Sequence, residues 1–387
     1  MGRILVLALA LVAGCYRAVD YERCSLACGP GGECPGALVC NTEQRCAASS
    51  DDSCVGADAG MMPDSSASDD GFGSASCSRW IDKLCVSGSG VMKLSGMFDT
   101  SECMPVIQTG GGPYCLVTAD TIEISLGQTF TATGTMPIAF AATNIAIDGT
   151  LDVSSTASRS GAGADDAACA LGVLPTMAAG GAGGSFGTVG GQGGDARSSV
   201  DGGQPAAASA SPTLLHGGCP GQAGATTTAP GGAGGGGVWL FATATIAISG
   251  EIDAGGAGGT SVASAIGSGG GGGGGAGGMI GIEAPAITLM GSTLAANGGG
   301  GGGGNAKDLA GGNGSDGAQT AAASGGAGAQ DGSMFDGSGG SGAFADSAGK
   351  LGSSAAPAGG GGGGGEGAIY VKGTIDSMPA QCSPTAM

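Results

Sequence analysis

The chain has 387 residues, of which 90 are glycine, 11% are charged and 4% are aromatic, and it carries a formal charge of −19. So much glycine and so few aromatics exclude an ordinary globule of this size, because aromatic side chains dominate core burial and glycine loses the most backbone entropy on ordering. The acidic balance excludes nucleic acid and anionic lipid as partners, since both select clustered Lys and Arg.

Residues 4–14 form an apolar stretch after Arg3 that closes on Leu11, Val12, Ala13, Gly14 and Cys15. A charged start, a short apolar core and small residues before a cysteine read as a bacterial lipobox. The stretch is shorter than the roughly 20 apolar residues of a membrane span. Segment 1–14 is therefore expected to be a signal peptide, and Cys15 to carry the lipid that anchors the chain to the membrane. Tyr16 differs from the Asp associated with inner-membrane retention, which points to the outer membrane, where the chain is expected to be surface-exposed.

Cys24, Cys28, Cys34, Cys40, Cys46 and Cys54 follow with gaps of three, five, five, five and seven residues. In an exported chain they predict a disulfide-stapled module over 15–55, since so short a segment cannot bury enough surface to fold unaided. Six cysteines leave the connectivity open. Residues 56–76 are small, acidic and unpatterned and read as a flexible linker. Cys77, Cys85, Cys103 and Cys115 bracket a segment, 77–116, holding Trp80, Phe98 and Tyr114, which reads as a stapled cap for a repeat array. Cys169 and Cys219 are expected to close a loop of about fifty residues. With Cys15 lipidated, thirteen cysteines remain, and Cys382 is expected to be the unpaired one.

From residue 117 to 387 the pattern Ile-x-(Ile/Leu/Val)-x-Gly recurs, at Ile145–Gly149, Ile246–Gly250, Ile287–Gly291 and Ile369–Gly373. Alternating aliphatics point to one face of a strand. Flanking pairs begin at Ile138, Trp239 and Ile280, and single aliphatics follow at Leu151, Ile252, Leu294 and Ile375. Each unit thus predicts three short strands with bends too tight for hairpins, which suits one coil of an all-β parallel β-solenoid with long glycine-rich loops. An antiparallel β-sandwich is the alternative, because strand periodicity does not report pairing direction. Between the units stand runs of seven glycines at 269–275, 298–304 and 359–365. They are either flexible loops or ordered polyglycine in a three-residue-per-turn helix, packed about an axis that only glycine leaves free of side chains.

No catalytic constellation stands out. His216 is the single histidine and has no nucleophile or carboxylate at recognisable spacing. Gly-x-Gly-x-x-Gly matches follow from abundance, and no cofactor is expected. Asp195 and Asp316 end matches to the calcium nonapeptide start Gly-Gly-x-Gly-x-Asp, but singly rather than in tandem, so they are calcium candidates without a dedicated metal site. Asp148, Asp152, Glu251, Asp253 and Asp376 are expected on a solvated outer face with no basic partner, as a polysaccharide-cleaving row would require.

The lipobox, the Cys-rich start, the Ile-x-Ile-x-Gly-x-Leu-Asp beats, Gly217-Gly-Cys-Pro-Gly221 and Ala296-Asn-Gly-Gly299 together resemble the glycine-rich envelope lipoproteins of myxobacterial-type gliding bacteria. That group lends no established activity. The seven-glycine runs also resemble the polyglycine loops of phage tail-tip adhesins. Mycobacterial glycine-rich surface proteins share the bias, but the N-terminal domain that defines them has no counterpart here. The reading is a lipid-anchored, non-enzymatic surface protein making adhesive contact with a polysaccharide or a neighbouring cell. The alternatives are a structural envelope component without a ligand and, below it, a polysaccharide-active enzyme.

Overall fold

The computed structural model describes residues 39–40, 46–47 and 77–387, apart from 171, 198–200, 227–228, 264–266 and 332–333. The signal segment, Cys15, Cys24, Cys28, Cys34, Cys54 and the linker lie outside the described residues. The chain divides into two compact units, Arg17–Gly73 and the remainder. Of the smaller unit, β1 (Val39–Cys40) and β2 (Cys46–Ala47) pair antiparallel.

The larger unit is almost all β. Its first strands are β3 (Val91–Lys93), β4 (Gly96–Asp99), β5 (Pro105–Ile107), β6 (Pro113–Thr118), β7 (Thr121–Ile124) and β8 (Thr129–Thr133). Three repeats follow, each a long strand and a short one: β9 (Ile138–Ile147) with β10 (Thr150–Asp152), β11 (Gly237–Ile248) with β12 (Glu251–Asp253), and β13 (Met279–Thr288) with β14 (Thr293–Ala295). After a small hairpin, β15 (Gln330–Asp331) and β16 (Met334–Phe335), the last repeat is β17 (Ala368–Ser377) with β18 (Gln381–Ser383). Long strands stack in one sheet in the order β17-β13-β11-β9-β6-β5, with β7 on β9 and β3 on β7; short strands stack in a second, β18-β14-β12-β10-β8-β4. Every pairing in these sheets is parallel except β5 with β6. The antiparallel sandwich is thereby set aside. No helix among the described residues is long and apolar enough to cross a membrane.

Aliphatics in register explain the core. Ile138, Val238, Ile280 and Ile369 form one column, Ile145, Ile246, Ile287 and Ile375 another, and Leu151, Ile252, Leu294 and Cys382 a third. All but Ile375 and Cys382 are buried between the two sheets, and those two pack against the buried cluster at its end. Two expectations are corrected here. The first two strands of each unit are one long strand: in β9 inward side chains at 138, 140 and 142 are followed by 145 and 147, a step of three, whereas β11 steps by four from 242 to 246, so the β9–β11 ladder shifts register between Ala242 and Thr245. In the last repeat, Ile369 and Val371 align with Ile138 and Phe140, and Ile375 takes the place of Ile145.

Trp239, expected to face inward, points to the outer face instead, while Val238 and Leu240 fill the interior. Outside, Trp239, Phe241 and Tyr370 pack with Ile81 and Leu84 from the segment closed by the Cys77–Cys85 disulfide. Trp80 meets Trp239 edge-on at 5.5 Å, and Gly281 is required beneath, because a Cβ there would enter the Trp239 ring.

The glycine runs are ordered. In the run at 269–275 the amides donate in three rotating directions: Gly271 and Gly274 to Gly359 and Gly362, Gly272 and Gly275 to Thr260 and Ala257, Gly273 and Ala276 to Gln222 and Cys219. Its carbonyls accept from Gly181 and Gly184, from Gly232 and Gly235, and from Gly302 and Gly299. Three neighbours given to and three received from make six. The run at 298–304 likewise donates to 337–343, 272–275 and 312–315 and accepts from Gly259, 326–329 and 361–364. A three-residue period with lateral bonds is polyglycine of the extended helical type, which has no internal hydrogen bonds and must find partners sideways once water is excluded. None of these run glycines has a positive φ. What excludes a side chain is proximity: a Cβ on Gly273, Gly301 or Gly362 would lie inside 3.0 Å of a neighbouring carbonyl.

Disulfides Cys103–Cys115 and Cys169–Cys219 tie the segment before β5 to β6 and close the longest glycine-rich excursion. Cys40 and Cys382 are also disulfide-bonded. Cys382 is therefore not the free thiol its isolation in sequence suggested; spacing along the chain does not report spacing in the fold.

Candidate functional site

The bend between each long strand and its short partner recurs along one flank of the stack. Ser125–Gln128 closes with Gln128 N donating to Ser125 O at 3.0 Å, and Leu289–Ser292 closes in the same way at 3.2 Å. Gly127 and Gly291 take φ of +75° and +80°, the left-handed conformation that such turns demand and glycine adopts without strain. Past the bend, parallel register sets Thr129, Thr150, Glu251, Thr293 and Gln381 in one outward row, about 4.8 Å apart by strand spacing. Bends and row enclose an open groove of ≈ 340 Å³, with Asp148 and Ser249 on its rim and Ser249 Oγ donating to Asp148 Oδ1 at 2.6 Å. The groove is lined by hydroxyls, carboxylates and backbone, without Lys or Arg. Leu126, 83% exposed, lies in it, and Met290, 70% exposed, adjoins it.

The next outward row holds Thr131, Asp152, Asp253, Ala295 and Ser383. Here the expectation of a solvated acidic face without a basic partner is corrected. Arg159 donates to Asp152 Oδ2 at 2.7 Å, and both side chains are largely buried. Gln319 Nε2 donates to Asp253 Oδ2 at 3.2 Å and reaches Glu251 Oε2 at 3.5 Å. Burial pushes Asp253 up to about 6, against the lowering effect of the Gly255 amide and Gln319, with Asp152 and Glu251 adding repulsion. Both aspartates also accept from the amide two residues on, Ser154 and Gly255, so they turn the chain out of the short strand into the glycine bundle. Neither Arg159 nor Gln319 carried a spacing signal, because each arrives from an excursion rather than from a strand. Asp376 is exposed on β17, away from this row.

The remaining predicted residues are scattered. Asp195 Oδ1 accepts from the amides of Asp201 and Gly202 at 3.0 and 2.9 Å, and Asp316 Oδ1 from Gly258 at 2.9 Å. Both carboxylates serve backbone amides of the glycine bundle, and no group of three or more metal-ligating side chains forms among the described residues. His216 is buried edge-on against Phe186 at 4.8 Å, and burial holds its pKa below the ordinary value. In the flank groove, repeated sequence positions thus produce a repeated exposed chemistry. Compared with known protein families, curated proteins and solved structures, the chain matches none.

Proposed function

We propose that this chain is a lipid-anchored, non-enzymatic protein of the outer cell surface, built as a parallel β-solenoid, that makes contact with a polysaccharide of a matrix or a neighbouring cell. The observation that supports this most is the row Thr129, Thr150, Glu251 and Thr293 along the flank groove. Hydroxyls and a carboxylate at strand spacing offer donors and acceptors in line, and the exposed Leu126 beside them offers an apolar surface for a sugar face. Parallel pairing of the short strands holds that row in register, which lowers the ordering cost of binding. The export reading rests on Leu11–Cys15.

A glycan array probed with the mature protein tests this. Retention on a defined glycan that falls tenfold or more in T150A/E251A would support contact through the groove. Retention on none would favour the second reading, a structural envelope component, which the continuous hydrogen bonding of the glycine bundle also suits.

A further inference from the structure

The bends between long and short strands differ in length, and the difference shapes the flank groove. In stack order they hold residues 125–128, 148–149, 249–250 and 289–292, so two four-residue bends enclose two bends of two residues. The outer pair are hydrogen-bonded turns that project further from the sheet, and each carries an exposed apolar side chain, Leu126 at 83% and Met290 at 70%. The inner pair are too short to project. They present Asp148 and Ser249, with Thr150 and Glu251 just beyond them. The groove is therefore a trough with a polar floor and an apolar residue on either wall. Its walls stand three strand spacings apart, about 14 Å.

The floor is acidic and uncompensated. Asp148 Oδ1 accepts from Ser249 Oγ at 2.6 Å and Glu251 Oε2 from Gln319 Nε2 at 3.5 Å, which leaves the second oxygen of each carboxylate without a partner among the described residues. Neither carboxylate forms an ion pair among the described residues, and no Lys or Arg lines the groove. A carboxylate accepts several hydrogen bonds, and those from a cationic donor are the strongest. A uronate or a sulfated sugar would instead meet two like charges with no cation to receive it, on a chain of net charge −19.

A sugar ring has apolar C–H faces and a polar edge. Set edge-on in this trough, it turns its faces towards Leu126 and Met290 and its edge towards Asp148, Thr150 and Glu251. We propose that the groove selects a polysaccharide bearing free amino groups, taking one amino sugar edge-on with its ammonium received by the Asp148 and Glu251 carboxylates. The threonine hydroxyls serve any glycan, whereas the two carboxylates set the class. This inference rests on the reading of the groove as a polysaccharide site and adds the charge of the sugar it takes.

Calorimetric titration of the mature chain with a hexamer of glucosamine and with its fully N-acetylated counterpart tests this, in low-salt buffer acid enough to keep the amines protonated. The glucosamine hexamer is expected to bind at least tenfold more tightly, and D148N and E251Q should each weaken it tenfold or more. L126A and M290A should weaken both hexamers alike. Thermal unfolding of each variant separates lost binding from lost folding. Equal affinity for the two hexamers, reduced in L126A, would overturn the amine selectivity and leave polysaccharide contact through the groove standing. Glucosamine binding undiminished by D148N and E251Q would overturn it as well, since net charge alone would then be the attraction. So would tighter binding of oligogalacturonate, with or without calcium. Binding of neither hexamer would end the amine reading, and the glycan array then decides the other: retention on a neutral glycan keeps the contact function, and retention on none removes both.

Discussion

Glu366 ends the third glycine run and is fully buried, with Oε1 accepting from the Asp346 amide at 2.8 Å. Burial pushes its carboxyl up to about 7, the nearby Asp346 carboxylate adds to the rise, and the amide opposes it. Oε2 has no partner among the described residues. The folded pKa lies above the unfolded one, so the folded state is favoured by the neutral form. That stability is fully present below the ordinary value of 4.5 and is lost as pH rises through about 7. Asp253, raised to about 6, adds a loss of the same sign at slightly lower pH. The melting temperature should fall between pH 5 and pH 8, and E366Q should flatten most of that slope, with D253N removing part of the rest. A melting temperature that holds or rises over this range would contradict the burial of both groups.

At the scale of the element, the glycine helices depend on the absence of a single atom. Six neighbours surround the run at 269–275, and a Cβ on Gly273 would strike the carbonyl of Ala182. Backbone cannot yield as a flexible side chain can, so G273A should cost about 1–3 kcal/mol, the range for overpacking. G112A is the control, since its Cβ would meet only the Asp166 side chain at 3.4 Å. Equal thermal stability of the two variants would deny that the run is packed. The same geometry accounts for what was legible. Matched runs of seven glycines suggested order without revealing it, because flexible loops have the same composition. Only the lateral bonds, supplied by segments as far apart in sequence as Gly181 and Gly362, distinguish the two.

Across the molecule, the Cys169–Cys219 disulfide joins residues 50 apart and brings the 216–224 segment against the central run, where Ala276 N donates to Cys219 O at 3.0 Å. Loop-closure arithmetic assigns such a link on the order of 4 kcal/mol, less where the reduced chain keeps structure. C169A/C219A should therefore unfold at lower temperature, and hydrogen exchange should quicken across the runs at 269–275 and 359–365 as well as in 170–236. Exchange confined to 170–236 would mean that the bundle does not act as one cooperative body.

The sequence by itself determined the strands and what lies between them. Aliphatic pairs such as Ile145 with Ile147 and Ile246 with Ile248 define inward faces locally, and a sparse aromatic content leaves glycine and aliphatics to form the interior. Tertiary structure decided the rest. Pairing direction and register came from stacking each column on its equivalent in the next repeat, which is how Val238 rather than Trp239 came to face inward. The order of the glycine runs came from partners distant in sequence. The pairing of Arg159 with Asp152 came from an excursion folding back on its own strand. Strand periodicity is a property of neighbouring residues and can be read along the chain; hydrogen bonds between segments are properties of pairs, and the chain order does not contain them.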